Sequence, residues 1–70
     1  MTKTYTAIIK KTEQWWIGWI EEVPGVNCQE KSRGELMSSL KETLIEALEF
    51  NRQEAITVAG KDYEEETIAL

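Results

Sequence analysis

The residues able to do chemistry in this 70-residue chain are mostly carboxylates: thirteen Asp and Glu, no His and a single cysteine, Cys28. Without histidine there is no imidazole for general acid-base catalysis, for a Ser-His triad or for a His metal site. Cys28 alone makes neither an internal disulfide nor a thiolate zinc site, and no neighbouring base activates it as a nucleophile. It reads as a small apolar strand residue in a reducing, cytoplasmic setting. Glu35, Glu42, Glu46 and Glu49 fall on one side of a helix but spread over about four turns, whereas two-metal phosphodiester chemistry needs carboxylates converging on one cavity. Asp62 is the only aspartate, and Gly18, Gly25, Gly34 and Gly60 are too scattered for a phosphate loop. The chemistry predicts no enzyme, no cofactor and no metal. Its carboxylate row reads as a solvated or partner-facing surface.

That row belongs to the helix predicted over Ser32–Gln53. Ser32 followed by Glu35 has the form of a capping box. Leu36, Leu40, Leu44 and Leu48 then repeat every four residues, with Met37 and Ala47 on the same side, so the leucine stripe faces a core and the glutamates face away. At roughly 100° per residue, Ile45 lies roughly 130° from the centre of that stripe and Phe50 roughly 90° from it. Both miss the core face. Ile45, beside the glutamates, is an interface candidate.

Three strands are predicted ahead of the helix. Thr4–Lys10 is β-branched and aromatic; Lys11–Glu13 interrupts it, and Gln14–Glu21 returns antiparallel to it. Pro24 and Gly25 occupy the two corners of a type II turn, and Val26–Glu30 follows as a short strand. In the second strand Trp15, Ile17 and Trp19 point to one side while Trp16, Gly18 and Ile20 point to the other. One helix covers only one face, so the other requires the C-terminal segment, another copy or a different protein. Trp15, Trp16 and Trp19 are therefore interface candidates as well as core candidates. Base stacking is the third reading, without an evident basic groove beside it. Gly18 is placed to admit a close neighbour. After the helix, Ala55–Ala59 is β-branched and predicts a fourth, short strand.

Seventy residues make one small domain, whose marginal core favours a homodimer or homotetramer. Residues 1–60 are assigned to it and 61–70 to an acidic, mobile tail. The net charge of −5 disfavours direct nucleic-acid binding, which runs on Lys and Arg contacts, and favours a basic protein partner. No apolar run approaches the roughly 20 residues of a membrane span.

Several of these pieces together resemble the HicB-like antitoxin family of type II toxin–antitoxin systems. They are Tyr5-Thr6-Ala7-Ile8-Ile9, the aromatic strand Trp16-Ile17-Gly18-Trp19-Ile20, Glu22-Val23-Pro24-Gly25, and the helix opening at Ser32 and running leucine-rich to Leu48-Glu49. The family commonly carries Cys after Pro-Gly and Gly two residues before the helix cap, where this chain has Val26 and Glu30. The resemblance implies an α+β domain of order β-β-β-α-β, like a truncated ribonuclease H fold without nuclease function. It also implies a non-catalytic role in masking HicA, a small basic toxin that cleaves messenger RNA. The family's appended DNA-binding domain is not expected here. The alternative is a stand-alone oligomeric domain of the same fold with no toxin partner. Under the first reading Glu42, Glu46, Glu49, Ile45 and the tryptophans are the contact residues.

Overall fold

The computed structural model describes residues 4–70, which form three antiparallel strands followed by one long helix. The strands are β1 (Ala7–Lys11), β2 (Trp16–Ile20) and β3 (Asn27–Glu30), in sheet order β1-β2-β3. β1 pairs β2 from Ala7 opposite Ile20 to Lys11 opposite Trp16, and β2 pairs β3 from Trp16 opposite Glu30 to Trp19 opposite Asn27. Each strand starts one to three residues later than its composition predicts, and ahead of β2 and β3 the flanking residues close the turns. At the first turn the Thr12 N–H donates to the Trp15 carbonyl (2.8 Å), and the Trp15 N–H donates to Thr12 Oγ1 (3.0 Å). Trp15 thus precedes β2.

The second turn matches expectation. The Val26 N–H reaches the Val23 carbonyl at 3.4 Å, and Gly25 sits at φ +91°, the left-handed corner that a type II turn reserves for glycine.

Helix α1 spans Arg33–Ala59. Ser32 caps it from extended backbone, and Ser32 Oγ accepts the Glu35 N–H at 3.1 Å. The leucine stripe lies on one face of the sheet. Ile20, Val23, Val26, Leu36 and Leu40 are buried, with Tyr5, Ala7, Ile9, Trp16, Cys28, Leu44, Ala47 and Leu48 packed around them. Burial of each core leucine is worth about 1.5–3 kcal/mol, so Leu36 and Leu40 anchor the two layers. Gly18 lets them meet: a Cβ there would stand 3.1 Å from Leu40 Cδ1. Met37, expected within the stripe, instead lies at its margin, 39% exposed.

Two expectations about the C-terminal part are corrected. Ala55–Ala59 is no strand, and the helix does not end at Gln53 but runs through both to Ala59. Ile56, Thr57 and Val58 have strand propensity, but a strand needs a neighbour. An existing helix gains one hydrogen bond per added residue without a new nucleus. Nothing between Gln53 and Gly60 breaks it; Gly60, at φ +72°, donates its N–H to the Ile56 carbonyl and ends it. Leu48 is the last helical residue in the packed cluster; Phe50 and Arg52 still stand beside Pro24 and Tyr5, and Gln53–Ala59 projects about 10 Å further. The molecule measures 52 × 24 × 15 Å.

Residues 61–70 form neither helix nor strand. Gly60 and Asp62 (φ +58°) turn the chain back, and Tyr63, Glu64 and Glu65 line a hollow against Arg52, Ala55, Ile56 and Ala59.

Candidate protein-binding surfaces

Three surfaces remain once the core is accounted for, and the sequence-derived candidates divide among them. The first is the sheet face turned away from α1. Because Gly18 and Ile20 are buried toward the helix, the alternation of β2 sends Ile17 and Trp19 outward. Their cross-strand partners on that face are Lys10 and Ile8 from β1, and Gln29 and Asn27 from β3. Trp19 is 39% exposed at its centre. Trp15 continues the same alternation at the hairpin end, where Lys31 Nζ lies 6.0 Å from its ring centroid. Trp16 belongs to the other side: it packs on the core, with Lys11 Nζ 5.9 Å from its ring. The three tryptophans are therefore not one site. Ile8 and Lys10 were missed from sequence, although the alternation of β1 carries the signal once its register with β2 is known.

The second surface is the outer ridge of α1. Glu42, Glu46 and Glu49 are exposed there, with Glu35 one to two turns earlier. Ile45, 58% exposed, flanks the ridge on one side and Phe50, 64% exposed, on the other. Phe50 shares a shallow hollow with Glu46, Pro24 and Val26. Gln53 Nε2 donates to Glu49 Oε1 at 3.0 Å. Among the described residues the one ion pair is Arg52 with Glu65, at 3.9 Å and exposed, so no cation neutralises the ridge. Its apolar flanks and charged crest form one continuous patch.

The third surface was not foreseen. A trough runs along the β1 side of α1, and one part of it is an open, apolar hollow of about 440 Å³ lined by Tyr5, Ala7, Ile20, Met37, Leu40 and Leu44, with Lys41 at its wall. Toward the projecting end the trough continues past Ile45, Leu48 and Arg52. Met37 lines this space.

The Thr6 N–H donates to Glu22 Oε1 at 2.7 Å, and that bond holds the Glu22 carboxyl below its ordinary value. Cys28 Sγ lies 3.4 Å from Thr43 Oγ1, half-buried between β3 and α1. Ser39 Oγ donates to Glu30 Oε2 at 2.6 Å, tying the same strand to the helix. Among the described residues no group of three or more His, Cys, Asp or Glu is placed to hold a metal ion, and no helix is long and apolar enough to cross a membrane. No protein-family model, curated protein or solved structure matches the chain.

Proposed function

We propose that the protein is a non-catalytic, HicB-like antitoxin-type module of the cytoplasm that binds and masks a small basic, mRNA-cleaving toxin of the HicA type. The observation that carries this reading is the helix ridge: exposed carboxylates with no counter-cation, flanked by Ile45 and Phe50. A nuclease that grips RNA presents cations to phosphates, and a row of carboxylates on a rigid helix competes for the same cations. The apolar flanks supply desolvated anchors that slow dissociation. The order of three strands and one helix supports the family's truncated ribonuclease H-like fold, without its fourth strand.

The test is co-purification with a short basic protein encoded beside this one, followed by an RNA-cleavage assay. The expected result is a mixed complex of defined ratio in which cleavage stops. The triple charge reversal Glu42→Lys, Glu46→Lys, Glu49→Lys is expected to slow association at least tenfold and to remove its salt dependence. Inhibition untouched by that triple variant would reject the ridge as the contact surface.

The open sheet face favours a second reading, a stand-alone oligomer with no toxin partner. Trp19→Ala distinguishes the two. Loss of self-association with no mixed complex in any assay supports the oligomer.

A further inference from the structure

We propose that the outer face of the sheet is covered by the α1 ridge of a second copy of this chain, in a contact that repeats from copy to copy. The two surfaces are opposite in charge and lie back to back on one molecule. On the sheet the paired outward positions are Ile8, Lys10, Ile17, Trp19, Asn27 and Gln29, with no carboxylate among them. Trp15 and Lys31 extend that face at its hairpin end, the lysine Nζ 6.0 Å from the ring. Among the described residues neither Lys10 nor Lys31 has an ion-pair partner. In a chain of net charge −5 this face is therefore locally cationic. The ridge is its converse: Glu42, Glu46 and Glu49 stand exposed without a cation, between Ile45 and Phe50. What each surface lacks, the other carries.

Spacing agrees with charge. Lys10 stands opposite Ile17 and Ile17 opposite Gln29, and Lys31 follows two residues beyond Gln29. Two strand spacings across and two residues along separate the lysines by about 12 Å. Glu42 and Glu49, two turns apart on nearly one line, are separated by about 10.5 Å. A helix laid across the sheet brings one of these glutamates to each lysine and sets Ile45, between them along the axis, over the Trp15–Ile17 stretch. Sheet against sheet would instead set Lys10 and Lys31 on a face equally without carboxylates. A nucleic acid would find two cations on a chain of net charge −5. The chain's own ridge is separated from its own sheet face by the core. Because the two surfaces lie on opposite sides, a pair of copies leaves one of each free, and addition continues past two. The contact uses the ridge assigned above to the toxin without depending on that assignment, and a toxin bound there would end the stack.

The experiment is light-scattering mass of this chain alone across a concentration series, at low and high salt, with far-UV circular dichroism alongside. The mass is expected to climb with concentration past twice 8.1 kDa, and to climb less in high salt. The sheet variant Lys10→Glu, Lys31→Glu and the ridge variant Glu42→Lys, Glu46→Lys, Glu49→Lys are each expected at the single-chain mass. Both should keep the wild-type spectrum, since all five side chains are exposed. Mixed in equal amounts, the two variants are expected to assemble again, because every contact regains opposite charges. A full chain that stays single at every concentration gives these faces to another molecule and overturns the proposal. A chain that stops at two copies overturns it as well. So does a ridge variant that still assembles alone, which would place a second sheet or an acidic tail on the sheet face, and so does a mixture that stays single.

Discussion

At Gly18 the two layers of the molecule approach as closely as atoms allow. A methyl group there would stand 3.0 Å from the Ile8 carbonyl oxygen, 3.1 Å from Leu40 Cδ1 and 3.2 Å from Ile9 Cγ2. The Ile8 oxygen is backbone and cannot rotate aside. Gly18→Ala is therefore expected to destabilise the fold by about 1–2 kcal/mol, the overpacking cost less the smaller entropic gain of alanine, as a lower urea midpoint. Glu22 makes a second prediction. Its carboxylate is stabilised by the Thr6 N–H, so its folded pKa lies below the unfolded one. That contribution is complete above the unfolded value and disappears as pH falls through the folded value. The stability gap between wild type and Glu22→Gln is expected to close on acidification below pH 4.5; a gap that persists in acid would show that the bond acts otherwise. From sequence the close approach at Gly18 was legible, because a glycine between tryptophans in a strand has few other reasons. The Glu22 bond was not, since it joins residues brought together only by the turn.

The helix shows where local reading succeeds and where it stops. Its start was legible because Ser32 acts within one turn, and Ser32→Ala is expected to cost about 0.5–2 kcal/mol in thermal or urea unfolding. Its end was not. Ile56, Thr57 and Val58 carry a strand preference of a few tenths of a kcal/mol each, which an already nucleated helix overrides when no strand stands nearby. Beyond Leu48 that helix adds no residue to the packed core. Amides of residues 52–59 are accordingly expected to exchange with solvent orders of magnitude faster than those of 36–47, by local fraying. Equal protection along the whole helix would mean that a partner covers the projecting half.

At the scale of the whole molecule, the candidate residues separate because a two-layer fold has an outside on each layer. Trp19 and Trp15 lie on the outer side of the sheet, and Glu42, Ile45, Glu46 and Glu49 on the outer side of the helix, with the core between them. The helix period places the carboxylates and the strand period places the tryptophans. Neither period places one element on the other, so the trough, made by Tyr5 and Ala7 from one element and Met37 and Leu44 from another, was invisible until they were packed. This layering predicts independence. Combining Trp19→Ala with Glu46→Lys is expected to change stability by the sum of the single effects within about 0.5 kcal/mol, as a double-mutant cycle would measure.

The projecting helix also governs how the molecule turns in solution. A body of 52 × 24 × 15 Å rotates faster about its long axis than end over end, and α1 supplies much of that length. Its amide bonds, nearly parallel to the helix axis, sense mainly the slow tumbling, whereas strand amides, perpendicular to their strands, sample both. Nitrogen-15 relaxation of α1 will therefore report a longer apparent correlation time than that of β2, a difference of shape and not of stiffness. For the same reason the chain leaves a gel-filtration column ahead of a sphere of equal mass, so elution volume alone would mistake one copy for two.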